Sequence, residues 1–182
     1  VHAAAIWKPV PWQQIRARDI EENYQANLLG TLLPCLEVGK RMVKQATGGT
    51  IILTGDWAIR RPYKNYLAYF ASKGSIPTLT RALAVELGST NPRVRVNCIE
   101  PGPVMLPADL PEAERNEAIN ATLVRREGSP DDVAKAVWSL IQNPFMTGVS
   151  SVAYAYASNV AVGSSATKLV NRQSPYTDTL VV

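Results

Sequence analysis

The period of the apolar positions changes several times along this chain, and each change marks an element. Between Arg18 and Ala46, Ile20, Tyr24, Leu28, Leu32, Leu36 and Met42 recur near one helical face, with Asp19 placed for the N-terminal turn. Gly48-Gly49 ends that pattern. Thr50-Ile51-Ile52-Leu53-Thr54 is apolar and too short for a helix, so it predicts a strand. From Tyr66 to Gly88 the helical period returns as one long helix, with Leu79, Leu83 and Leu87 on one stripe and Gly88 as the stop. Pro77 lies inside that run. It lacks an N–H and clashes with the carbonyl of Lys73, so a kink is expected there.

Val94 to Ile99 is apolar almost throughout, as a parallel strand buried on both faces should be. Pro101-Gly102-Pro103-Val104 leaves its end. Pro111-Glu112-Ala113-Glu114 reads as the start of a short helix with acids in the first turn. Ser129-Pro130-Asp131-Asp132 is a stronger helix start, with Ser as cap, Pro in the first turn and an acid three residues on. Val133, Val137, Leu140 and Ile141 carry that helix to Gln142. Strands alternating with helices predict an α/β fold, a parallel sheet in three layers. The segment 150–182 is rich in Ser, Ala and Val. A strand from Val152 to Ala157 and then disorder are expected, with no functional reading.

A chain of 182 residues, 46% hydrophobic and 19% charged, suits one domain with a real core. The net charge of +4 is modest and the basic residues are dispersed, with only doublets such as Arg60-Arg61 and Arg125-Arg126, which argues against a nucleic-acid face. No apolar run is long enough to span a membrane. Cys35 and Cys98 sit in apolar runs without metal-ligand spacing. Buried free thiols are expected, which favours a reducing cytoplasm. With His2 the single histidine, no metal site is expected.

Tyr69 and Lys73 are four residues apart and share a helical face, about 6 Å apart along the axis. A phenol titrating near ~10 is a slow acid at neutral pH, and an adjacent ammonium should lower that value. The pair opens a helix after one strand and before another that ends in Pro101-Gly102. This order resembles the short-chain dehydrogenase/reductase family over roughly residues 1–148. The resemblance implies a Rossmann-like domain that binds NADP or NAD and reduces a small molecule by hydride transfer, with Tyr69 as proton donor and Lys73 on the nicotinamide ribose. It implies that Pro101, Gly102 and Val104 border the nicotinamide. It also implies that Asn27 interrupts its helix and, through its main chain, holds a water of the proton relay. Packing of the two long helices against a second subunit would make the full-length protein a homo-oligomer, a dimer or tetramer.

Departures from the family pattern are informative. The family's Asn-Asn-Ala-Gly strand end is replaced by His2, Ala3, Ala4 and Ala5, and small residues such as Ala4 and Ala5 keep room for a flat cofactor. Where the family has a Ser, 13 residues before the Tyr, this chain has Asp56; Thr54, the nearest hydroxyl, lies two residues too early. Leu106 stands where the family often has a Thr. An Asp in place of the Ser, and an aromatic such as Trp7 after the strand end, resemble the pteridine reductase subgroup, in which that aromatic stacks on the pterin. Asp56, Trp7 and Tyr69 are therefore the candidate substrate contacts. A carboxyl matches the ring nitrogens and amino group of a pterin, whereas a simple ketone offers only an acceptor oxygen. No Thr-Gly-x-x-x-Gly-x-Gly occurs among the 11 glycines, so the phosphate-binding turn of the fold is missing. Residues 1–149 are thus read as the later part of such a domain, its first strands and glycine-rich loop missing, and 150–182 as a divergent tail. Two alternatives remain: a 3-oxoacyl-type ketone reductase, and a non-catalytic binding or dimerisation remnant.

Overall fold

The computed structural model describes residues 1–152. In chain order it contains helix α1 (Ala17–Asn23), a π-helical segment (Tyr24–Leu29), helix α2 (Gly30–Met42), strand β1 (Gly49–Thr54), a short 3-10 turn (Trp57–Arg60), helix α3 (Leu67–Lys73), helix α4 (Ile76–Thr90), strand β2 (Val94–Glu100), helix α5 (Glu112–Asn120), helix α6 (Pro130–Gln142) and strand β3 (Ser150–Val152). The strands form one parallel sheet in the order β1-β2-β3. His2 bridges to Leu53 in parallel, on the edge of β1 away from β2, and its N–H donates to the Ile52 carbonyl at 2.8 Å. The start of the chain therefore runs beside β1 and leaves at the C-terminal end of the sheet.

Alternation along β1 sorts its side chains into two cores. Ile51 and Leu53 join Val96 and Cys98 of β2 against Cys35 of α2 and Ile76, Leu83 and Ala84 of α4. Ile52 and Ile99 face the other way, onto Leu140 of α6, with Val133 and Val137 beside it. Helices on both faces of a parallel sheet are the three-layer arrangement that the sequence predicts. The stripe Leu79, Leu83 and Leu87 packs as expected. The Ser129 cap forms too: its hydroxyl accepts from the Asp132 N–H, and the Asp132 carboxylate accepts from the Ser129 N–H at 2.9 Å.

Several local expectations need correction. The stretch Arg18 to Ala46 is not one helix. A π-helical segment splits it, and the extra residue per turn rotates the faces. The buried column consists of Asp19, Asn23, Asn27, Thr31, Cys35 and Gly39, while Ile20 and Tyr24 are exposed. Polar side chains occupy the buried face because their partners are backbone groups and α3. The second long helix also breaks, at Gly74-Ser75. Pro77 then lies in the first turn of α4, where its missing N–H costs nothing. Gly88 is not the stop, since α4 continues through it to Thr90 and ends at Asn91. The last strand begins at Ser150, and the remainder of the expected strand and tail lies outside the described residues.

One buried charge holds the sheet to α6. Arg95, in mid-β2 and 9% exposed, donates to the carbonyls of Leu140 and Ile141 at the end of α6, to the Met146 carbonyl and to the Thr50 hydroxyl, all at 2.8–2.9 Å. The cation meets the negative end of the helix and carbonyls that have no helical partner. Arg95→Met should lower unfolding free energy by roughly 3 kcal/mol, because it leaves several buried acceptors without a donor. Urea denaturation of the two proteins checks this; a loss below about 1 kcal/mol would contradict the assigned role.

Candidate active site

The catalytic candidates meet at the C-terminal end of β1. Asp56 follows that strand by two residues and caps the 3-10 turn, its Oδ1 accepting from the Ala58 N–H at 2.8 Å. Its Oδ2 accepts from the Tyr69 hydroxyl across a short hydrogen bond. Tyr69 and Lys73 lie on α3, one turn apart and both almost fully buried. The Lys73 ammonium donates to the Thr54 carbonyl at 2.9 Å. Phenol, carboxyl and ammonium therefore converge on one strand end. Among the described residues no three or more His, Cys, Asp and Glu gather as a metal would need.

Burial dominates the electrostatics. It pushes the Asp56 carboxyl up, while bonds from Tyr69 and Ala58 and the Lys73 charge pull the other way. It pushes Lys73 down against the opposing pull of Asp56. Tyr69 is driven far up, first by burial and then by the Asp56 charge and hydrogen bond. This corrects the expectation that Lys73 lowers the phenol: the carboxyl touches the hydroxyl, whereas the ammonium is turned toward Thr54. The phenol keeps its proton through the neutral range.

Asn27 lies inside the π-helical segment, as an interruption at that place requires. It is fully buried. Its side-chain amide clamps the start of the chain, donating to the Ile6 carbonyl at 3.2 Å and accepting from the Ile6 N–H at 2.7 Å. It also donates to the Ser72 hydroxyl at 2.9 Å, and Ser72 donates to the Tyr69 carbonyl at 2.7 Å. The Asn27 carbonyl accepts the Thr31 hydroxyl at 2.7 Å. Asn27 thus ties the first segment of the chain to the helix of Tyr69. Ala4 and Ala5 are exposed just before that clamp. Pro101 and Gly102 sit half-buried beyond β2, with the Pro101 carbonyl accepting from Trp57 N–H at 3.2 Å, and Val104 bridges to Gly128.

Trp7 is half exposed and stacks on Tyr66 with centroids 4.7 Å apart and planes at 17°. Its indole N–H donates to the Tyr63 hydroxyl at 2.8 Å. Tyr63 and Tyr66 meet edge to face, and Tyr66 meets Tyr69 likewise. The side chains beside Tyr69 are therefore an aromatic wall, of which only Trp7 was singled out from sequence. Tyr66 and Tyr63 lie three and six residues before Tyr69, a spacing that could have found them. Ser72, adjoining Lys73, could not be singled out, because its partner is 45 residues away.

The donor set fits one part of a nicotinamide dinucleotide. An ammonium has three donors, and Lys73 uses one on Thr54, so the others can meet ribose hydroxyls.

A family model described as enoyl-(acyl carrier protein) reductase matches residues 1–153. Glucose 1-dehydrogenase of Gluconobacter oxydans (strain 621H) is 30% identical over 146 residues, 77% of this chain and 54% of the relative. Carbonyl reductase family member 4 of Danio rerio is 31% identical over 149 residues, 81% of this chain and 60% of the relative. The 3-oxoacyl-[acyl-carrier-protein] reductase of Homo sapiens is 30% identical over 149 residues, 81% and 61% of the two chains. The chain thus spans between half and two thirds of the length of these relatives. A crystal structure described as a short-chain alcohol dehydrogenase from Sinorhizobium meliloti 1021 superposes with a TM-score of 0.76 at 23% identity, covering 84% of this chain and 62% of that one.

The raised Asp56 value has a consequence for folding. A carboxyl that binds its proton more tightly when folded than when unfolded favours the folded state in acid. That contribution is lost as pH rises from the unfolded carboxylate value, about 4, through the folded one. Asp56→Asn removes the term. The stability of the variant relative to the parent should therefore grow as pH rises above about 4, as read by urea denaturation at successive pH values. A difference that stays flat would contradict the electrostatic assignment.

Proposed function

The chain belongs to the short-chain dehydrogenase/reductase family, and on that premise we propose that it carries the catalytic half of an NAD(P)H-dependent reductase acting on a pteridine or a small carbonyl compound. The observation that supports this reading is the Tyr69 hydroxyl bonded to Asp56 beside a buried Lys73. When bound, the dinucleotide supplies the hydride. Tyr69 gives its proton to the substrate nitrogen or oxygen that gains charge as hydride adds to the neighbouring carbon. Asp56 steers that proton and, when itself protonated, donates to the substrate as a Ser hydroxyl would. Lys73 would hold the ribose hydroxyls with the donors that Thr54 leaves free. Asn27 holds the relay water at its main chain.

Asp56 and the aromatic wall of Trp7, Tyr66 and Tyr63 favour a flat nitrogen heterocycle. An aromatic face suits a planar ring, and a carboxyl suits ring nitrogens and an amino group. The 3-oxoacyl-type ketone reductase is the second reading, favoured by relatives of that name at 30% identity. The full-length protein is proposed to be a cytoplasmic homo-oligomer. Exposed Leu33 and Val38 on α2 and Val85 on α4 support that part of the reading.

Tyr69→Phe should lower kcat by about 10²- to 10⁴-fold while leaving dinucleotide affinity within a few-fold, measured by NADPH oxidation and by cofactor fluorescence. Replacing Asp56 with Ser should shift preference from a dihydropterin toward a ketone when both are assayed side by side. An unchanged preference would remove the pteridine assignment and leave the ketone reading.

A further inference from the structure

The turn that carries Asp56 is fastened to the end of β2 more firmly than a surface turn needs. Gly55 N–H donates to the Ile99 carbonyl at 2.8 Å and Trp57 N–H to the Pro101 carbonyl at 3.2 Å. At the far end of the same turn, Arg60 reaches a residue 40 positions away. Its Nε donates to Glu100 Oε2 at 3.2 Å, and its Nη2 pairs with the same oxygen at 3.0 Å. Glu100 is the last residue of β2, immediately before Pro101-Gly102, and it is 0% exposed. Its other oxygen, Oε1, is buried and has no hydrogen-bond partner among the described residues. Packing leaves little slack, since a Cβ on Gly55 would stand 3.1 Å from Glu100 Cγ.

A fully buried carboxylate is a poor way to gain stability, because desolvation offsets the attraction. It is a strong way to fix geometry: releasing Arg60 would leave Glu100 buried without its counter-charge. Ala58, whose N–H holds Asp56, lies between the two ends of the turn.

We infer that Arg60 and Glu100 are a positioning pair for the Asp56–Tyr69 acid, setting the Asp56 carboxyl relative to the Pro101–Gly102 backbone. The effect on turnover rests on the function proposed above; the effect on the turn does not. Arg60→Met alone strands a buried charge and can unfold the chain, so the informative variant is Arg60→Met with Glu100→Met, which removes both charges and keeps apolar volume.

In the full chain this double variant should exchange the Ala58 amide about tenfold faster by hydrogen exchange. It should also lower kcat about tenfold or more with KM for NADPH within a few-fold, since misplaced acids cost turnover more than binding. Arg60→Lys should recover most of both. Wild-type Ala58 exchange in the double variant overturns the inference, whatever happens to kcat. If the parent protein shows no reductase activity, the proposed reaction fails while Ala58 exchange still decides the role of the pair.

Discussion

The arrangement depends on a hydrogen bond between a buried phenol and a half-buried carboxyl. Burial acts on both in the same direction, favouring their neutral forms, and acts on the neighbouring ammonium to favour its neutral form too. Each of the three groups therefore relies on the others. The carboxyl gives the phenol an acceptor, the Ala58 amide and the ammonium moderate the carboxyl, and the Thr54 carbonyl occupies the ammonium. The proton inventory of the site is set by this balance, with no group left at its solution behaviour.

That balance survives only if the elements bearing the three groups cannot drift. Two polar constructions provide the constraint. On one side, the column Asp19, Asn23, Asn27 and Thr31 buries a carboxyl, two amides and a hydroxyl in the helical run that precedes β1. Through Asn27 it joins the Ile6 backbone to Ser72, and Ser72 closes onto the Tyr69 carbonyl. The π-helical segment presents Asn27 to both partners at once. On the other side, the turn of Asp56 is tied to the end of β2 by two backbone bonds and an ion pair.

Charged residues in the central strand follow the same logic. Arg95 and Glu100 both lie on β2, where all seven residues are buried. Arg95 gathers the carbonyls that end α6, and Glu100 gathers the arginine that ends the 3-10 turn. Arg95 joins the sheet to a helix whose other contacts with it are apolar and resist separation but permit sliding, and Glu100 adds a side-chain tie to a turn already held by two backbone bonds. Directional bonds remove the sliding.

How much of this was legible in the chain differs by the range of the interaction. Apolar period predicted β1, β2 and the α/β class, and the Ser129-Pro130-Asp131-Asp132 motif predicted the α6 cap, because these are local consequences of side-chain volume and backbone donors within a few residues. The four-residue spacing of Tyr69 and Lys73, and the 13-residue step back to Asp56 that the family resemblance implies, singled out the three groups that converge at the end of β1. The tertiary structure alone decided which face of the first helix is buried, since a polar column is stabilised only by the distant Ile6 backbone and Ser72. It also decided the sign of the phenol's shift, which follows first from burial and then from contact with a carboxyl instead of an ammonium. Desolvation depends on what encloses a group, and enclosure is a property of elements brought together across dozens of residues.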